Sequence, residues 1–366
     1  MTRIVAYPVD LGGCGHHRVI WPARALQAQG ADIDLVMPHE PADRQIRGGW
    51  WDIDGEPQLV GLLDESVPDC DVIVMQRPVY HARVKSIPEL QARGIRVVVE
   101  IDDDFDTIHP RNVAWRTLQP HLNKLANRQW LARACEIADH VVVSTPALAR
   151  RYGAHGRVTV VRNCVPARYL EAKRAEEHDG VWVGWSGSVE THPADLQEMG
   201  GGFARALRAT GAEFAVVGTG HGVKRIVGTS QQPLARGWVP IADYPAQLAN
   251  FDVGVVPLQP GPFNEAKSYL TGLAMAACGV PFVASPTSEY ELLVGSGNRV
   301  GALAYTPRDF ERILKDLIRL PAFRADHAFM GREAARAHTI QGNADRWWDA
   351  WTAPLAAPVR EVLHAR

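Results

Sequence analysis

The chain has 366 residues, 46% of them hydrophobic and 22% charged, the usage of an ordinary globular protein rather than of a disordered or fibrous one. A formal net charge of -2 gives no overall basic field, so general nucleic-acid binding driven by phosphate neutralisation is not expected. Five scattered cysteines, odd in number and without a C-x-x-C pair, suggest neither a disulfide framework nor a zinc site; a reducing, cytoplasmic setting fits.

The length exceeds what one core usually supports and predicts two domains of about 170 residues each. Met1 to Asp10 enters a β-like run at once, unlike a signal peptide, and no apolar run approaches the roughly 20 residues that span a bilayer.

The first predicted strand is Arg3 to Val9, followed by a turn at Gly12-Gly13-Cys14-Gly15 and a helix from Arg18 to Gln29. Further strands are expected at Ile33 to Met37, Asp71 to Met75 and Arg96 to Ile101. A long helical region, Trp115 to Ala138, precedes strands at His140 to Val143 and Thr159 to Val161. Short β-branched runs alternating with helices predict a parallel sheet covered on both faces.

This reading gives a first domain over 1–164, then a polar linker over 165–179 that carries Pro166. The βα rhythm restarts in a second domain over 180–345. There a strand at Gly180 to Trp185 runs into the turn Ser186-Gly187-Ser188 and a helix from Pro193 to Thr210. Strands at Phe214 to Val217, Asp252 to Pro257 and Val280 to Ala284 follow, closed by helices at Arg308 to Arg319 and Ala322 to His338. The fold class is therefore α/β, with two Rossmann-like domains of parallel strands and a cleft between them.

Several loops fall at the C-terminal ends of predicted strands, where open α/β sheets bind ligands. Gly12, Gly13 and Gly15 would let a backbone approach a ligand, although their spacing does not match the G-x-G-x-x-G dinucleotide fingerprint. His16 and His17 fit an exposed helix start as well as a substrate contact. Asp102, Asp103 and Asp104 follow a strand directly; each alone reads as a helix cap, but the cluster reads as functional. Ser186 and Gly187 sit in a small-residue turn suited to a phosphate. Lys267 and Ser268, at a helix start after a Pro/Gly loop, form a candidate pyrophosphate clamp.

These residues resemble retaining glycosyltransferases of the family 4 type, with the GT-B fold, and more narrowly a branch met in actinobacteria and their phages. The matching stretches are Gly12 to Leu26, Asp71 to Pro78, Glu100 to Asp104, Ala138 to Pro166, Val183 to Leu196 and Gly237 to Ser285. The resemblance implies that Gly12, Gly13 and Gly15 face donor and acceptor, and that Ser186 and Gly187 lie near the donor phosphates. Trp238 and Val239 would lie near the base, Lys267 and Ser268 on the diphosphate, and Glu265 on a ribose or sugar. It also implies that 346–366 forms a C-terminal helix packing back on the first domain. The family's second signature glutamate is replaced here by Ala274, and Glu265 is one place out of register with the first.

The reaction so implied moves a sugar from a nucleoside diphosphate sugar, usually of uridine or guanosine, to an acceptor nucleophile with retention. The donor is a co-substrate, no tightly bound cofactor is expected, and no metal is required. Lys267 would stabilise the departing diphosphate, with Asp103, Asp104 and His16 as the other catalytic candidates. Rival readings are a nucleotide-sugar epimerase of the same fold and a degenerate, non-catalytic nucleotide- or glycan-binding homologue.

Overall fold

The structure is a computed structural model that describes residues 2–38, 69–295 and 300–356. Met1 and residues 357–366 of the expected C-terminal helix lie outside the described residues. Contacts divide the chain into two units: Met1–Asp102, Thr117–Val161 and Ala344–Arg366 form the first, and Asp103–Arg116 with Arg162–Asn343 the second.

The first unit is built on strands β1 (Arg3–Tyr7), β2 (Asp32–Leu35), β3 (Val72–Gln76), β4 (Arg96–Ile101), β5 (His140–Val143) and β6 (Val158–Val160). They pair in the order β2-β1-β3-β4-β5-β6, each pair parallel. β3 is buried along its whole length, and β4 at every position but Arg96. Both read accordingly as continuous Val/Ile runs rather than alternating ones.

Helical backbone begins at Gly13 rather than at Arg18, because the expected glycine turn is itself the first helical turn. It passes through a π-helical segment, His16–Ile20, into the helix Trp21–Ala28. At its other end the unit is sealed by the helix Ala344–Ala356, whose Trp347 and Trp351 are fully buried. Trp351 Nε1 donates to Glu100 Oε1 at 2.9 Å, and the Arg18 guanidinium lies 5.5 Å from the centre of the Trp347 ring.

The expected long helix over Trp115 to Ala138 is broken into Val113–Thr117 and Arg128–Ile137. Pro120 cannot continue a helix, and Asn127 starts the next one by accepting from the Gln129 and Trp130 amides.

The second unit carries β7 (Trp182–Ser188), β8 (Glu213–Thr219), β9 (Leu234–Ala235), β10 (Val253–Val256), β11 (Phe282–Ala284) and β12 (Ala302–Leu303). Their order is β12-β11-β10-β7-β8-β9, again parallel throughout. Helices Gly200–Thr210 and Pro307–Arg319 pack together on the sheet. Their core includes Phe203, Phe214, Phe310 and Leu314, with the first two rings edge to face at 4.8 Å.

β7 does not end in a turn at Ser186. Ser186, Gly187 and Ser188 continue the strand, in register with Val217, Gly218 and Thr219. Gly218 allows this, because at its φ of +120° a Cβ would stand 2.0 Å from the Gly187 carbonyl oxygen. The following helix starts late: Asp195–Met199 is a 3₁₀ turn, and the α-helix runs only over Gly200–Thr210.

The segment read as a linker is pinned within the second unit. The Val165 amide donates to His338 O at 3.0 Å, Ala167–Glu171 forms a 3₁₀ turn, and the Ala175 amide donates to Asn250 Oδ1 at 2.8 Å.

Candidate functional site

In each sheet the strand order reverses about the unit's first strand. β1 has β2 on one side and β3 on the other, while β7 has β8 on one side and β10 on the other. Such switch points open a crevice at the strands' C-terminal ends, where open α/β sheets bind ligands. The glycine loop follows β1 and Lys267 follows β10, beside these two positions, whereas Asp103 follows β4 and Trp238 follows the edge strand β9.

At the end of β1, the Asp10 carboxylate accepts from the Gly12 amide at 2.9 Å and the Gly15 amide at 3.0 Å through Oδ1. The helix start is thus capped by the protein's own anion. Gly15 is sterically obligatory, since a Cβ there would lie 1.8 Å from Asp10 O, whereas a Cβ on Gly13 would meet nothing within 4 Å. His16 is buried, its Nδ1 2.9 Å from Gly12 O and its ring 5.0 Å from Trp21. Of the two sequence readings, the exposed helix start is therefore excluded for His16, and also for His17, which is buried.

Two residues here were not singled out from the sequence. Buried Gln76 accepts from the Val9 amide at 3.0 Å and donates to Cys14 O at 3.0 Å, so β3 holds the glycine loop in place. Arg77 has φ +46°, alone among the described non-glycine residues in being positive. It pairs with Asp102 at 3.0 Å and approaches Asp10 at 3.8 Å. The two carboxylates hold the arginine in a backbone conformation that non-glycine residues rarely adopt.

In the second unit, Lys267 Nζ stands 3.8 Å from Asp103 Oδ1 and 4.7 Å from the centre of the Phe263 ring. Its side chain keeps 18% of its surface exposed. Asp104, by contrast, is buried and turns its Oδ1 to the Asp106 amide at 3.2 Å, a local cap.

Buried Asp195 gathers the loops after β7 and β10. It accepts from His192 Nδ1 at 2.8 Å, the Gln259 amide at 3.0 Å and Asn264 Nδ2 at 2.6 Å. Burial alone would raise its pKa, but the His192 hydrogen bond and charge, the Gln259 amide and the Lys267 charge together hold it below the ordinary carboxylate value. The signal for this cluster was present in the H-x-x-D spacing just after a strand, and in Asn264 inside the segment Phe263 to Ser268.

The other predicted contacts separate. Ser186 Oγ is 2.9 Å from Tyr244 OH, and a Cβ on Gly187 would meet the Trp185 ring at 2.8 Å. Glu265 accepts from the Ser288 amide at 3.2 Å and from its hydroxyl. Ser268 Oγ accepts from Asn163 Nδ2 at 2.7 Å. Trp238 is 73% exposed and Val239 half-buried. Ala274 is buried in the apolar helix Leu270–Ala277. No group of three or more His, Cys, Asp or Glu residues is arranged to hold a metal among the described residues.

No family model matches the chain, and no curated protein matches it in sequence. Solved structures do. Sucrose-phosphate synthase from Thermosynechococcus elongatus superposes with a TM-score of 0.67 at 15% identity, over 98% of this chain and 100% of that one. The Anabaena protein HepE in complex with UDP gives 0.62 at 14% identity, over 96% and 100%. A glycosyltransferase from Rickettsia africae gives 0.63 at 9%, over 98% and 100%.

The fold is GT-B. At these identities the likeness speaks for architecture alone. Within the GT-B frame, Lys267, Asp103, His192 and Asp195 stand at the C-terminal rim of the second sheet. Chemically that rim offers a part-exposed cation with a loosely held counter-ion, next to a histidine whose Nδ1 is anchored on a buried carboxylate. Such a set can receive an anionic group and stabilise charge that develops on it. None of the described helices is long and apolar enough to cross a membrane.

Proposed function

We propose that the chain is a glycosyltransferase of the retaining family 4 type, from the branch met in actinobacteria and their phages. It takes a nucleoside diphosphate sugar as co-substrate and transfers the sugar to an acceptor nucleophile. The observation that carries this reading is Lys267: a part-exposed ammonium beside the switch point of the second sheet, 3.8 Å from Asp103 Oδ1.

An ion pair this long is easily exchanged for a diphosphate oxygen, so the same lysine neutralises the donor when bound and the leaving group as charge builds on it. Asp103 then orients the transferred sugar. His192 adds a donor on the same rim, and Asp104 shapes the loop. The open surface at Gly13 admits close approach of a sugar, while Ser186, Gly187, Trp238, Val239, Glu265 and Ser268 line the donor side. The departing phosphate itself takes the acceptor proton, so neither a protein nucleophile nor a metal is needed.

HepE has been crystallised with UDP and with UDP-glucose, which favours a uridine nucleotide as the first donor to try. The test is a thermal-shift screen of the purified chain against UDP, GDP, ADP, TDP and their sugars, then donor turnover in wild type and Lys267→Ala. A selective shift, with turnover lost in the variant, supports the reading. Wild-type turnover in Lys267→Ala would end it.

A further inference from the structure

At the opposite end of the second sheet's strands a cavity of about 330 Å3 opens beside Asp252 and Pro281, which precede β10 and β11. Lys267 and Asp195 follow the C-terminal ends of strands; this cavity lies at the N-terminal ends. It is lined by three guanidinium groups, from Arg174, Arg324 and Arg332, and by one carboxylate, that of Asp252.

The carboxylate is already committed. Asp252 accepts from Arg174 Nη2 at 2.6 Å and from the Trp182 amide at 2.8 Å. The other two guanidinium groups meet no carboxylate among the described residues. Arg324 Nη1 donates to the carbonyls of Leu317 and Ile318, both at 2.9 Å. Arg332 Nη2 donates to Cys278 O at 3.0 Å, and its Nε is buried with no acceptor. A buried guanidinium N–H without an acceptor is costly, and two arginine charges beside a small polar cavity are balanced most simply by a bound anion.

We propose that this cavity binds a small dianion of the phosphate class, inorganic phosphate or a phosphate monoester, with Arg324 and Arg332 as its principal ligands and Arg174 closing the charge balance. The cavity has room for a phosphate with a small organic group, for which Phe251 and Ala328 offer apolar wall. Arg332 also holds the C-terminal end of the helix Leu270–Ala277, through Cys278. The other end of that helix follows Lys267 and Ser268. The proposal does not depend on which reaction the rim performs.

The experiment is calorimetric titration of the full chain with inorganic phosphate and, separately, with glycerol phosphate. It is run in Lys267→Ala so that the catalytic rim does not contribute. The expected result is one equivalent of anion bound, with affinity falling at least about tenfold in Arg324→Leu and in Arg332→Leu. Arg324→Lys, which keeps the charge, should retain most of it. Tighter glycerol phosphate marks an organic phosphate as the ligand, and equal affinities mark phosphate alone. Because both arginines also bond the carbonyls at a helix end, Arg332 through Cys278 and Arg324 through Leu317 and Ile318, a loss of binding counts only in a variant whose melting temperature stays that of Lys267→Ala. No anion bound to Lys267→Ala, or unchanged binding in a folded Arg324→Leu, overturns the site.

Discussion

Arg18 Nη2 meets Glu100 Oε2 at 2.8 Å with the two side chains 1% and 0% exposed. Burial pushes the Glu100 carboxyl upward, opposed by the Arg18 charge and by hydrogen bonds from Trp351 and Arg18. Removing one partner strands a buried charge. Glu100→Ala should therefore cost about 3–5 kcal/mol, whereas the double variant Arg18→Met with Glu100→Leu should recover most of that loss. Urea unfolding of wild type and the two variants measures both figures; a near-neutral Glu100→Ala would show the pair to be hydrated.

Lys267→Ala should leave the urea midpoint within the range of a surface change, about 0.5 kcal/mol, while lowering donor turnover by roughly 10²–10³-fold. Asp103→Asn should raise the apparent affinity for free nucleoside diphosphate, because it removes the carboxylate that competes for the lysine. Steady-state kinetics and nucleotide titration separate the two effects, and a drop in both stability and turnover would point to a structural lysine instead.

Gly13 and Gly15 should behave oppositely under the same substitution. Gly15→Ala drives a Cβ into Asp10 O and should cost about 1–3 kcal/mol. Gly13→Ala meets nothing and should leave stability unchanged or raise it by up to about 1 kcal/mol, since alanine is the better helix former. A fall in turnover in the stable Gly13→Ala protein would place substrate against that backbone; unchanged kinetics would remove the glycine loop from the site.

His140 is held at a pKa of about 4 by burial first and then by the charges of His155 and Arg157. The unfolded chain takes up this proton near pH 6.5, so between about 6.5 and 4 it binds more protons than the folded one and stability rises with pH. The contribution is complete above pH 6.5 and is lost as pH falls toward 4. Melting temperatures at pH 7 and pH 5 should fall more steeply in wild type than in His140→Gln; parallel curves would refute the assignment.

Asp195 works at lower pH. Its folded pKa is depressed, so its contribution is present above the ordinary carboxylate value, near 3.9, and is lost as pH falls through the folded value. Asp195→Asn should destabilise by about 1–3 kcal/mol at pH 7, by setting an amide against the Gln259 and Asn264 donors. The difference from wild type should narrow below pH 4, which acid titration of the melting temperature would reveal.

The strands were legible because a buried parallel strand is written as an unbroken β-branched run; Arg96–Ile101 and His140–Val143 begin and end where the sequence puts them. The end of β7 was not, because Ser186-Gly187-Ser188 has the composition of a turn, and only its pairing with Val217 to Thr219 makes it strand. The helix over Trp115 to Ala138 was overextended for the converse reason: Asn123 and Asn127 satisfy backbone groups with their own side chains, a local bond that apolar periodicity does not register. At the site, Lys267 was readable from its place after a strand. Asp103 was readable as part of the acidic run after β4, but its pairing with Lys267 and the joining of Asp195 to Gln259 and Asn264 were not, because they depend on loops distant in sequence meeting at one rim.

The helix that carries Trp351 also has a consequence for biosynthesis. Glu100 receives its indole donor from 251 positions further along the chain, so a growing polypeptide holds this carboxylate and the Arg18 beside it without their lid while the second unit is being made. At ordinary translation speeds that interval lasts on the order of ten seconds or more. The nascent first unit should consequently be a chaperone client on the ribosome, and it should become resistant to protease only after the helix Ala344–Ala356 has emerged and docked.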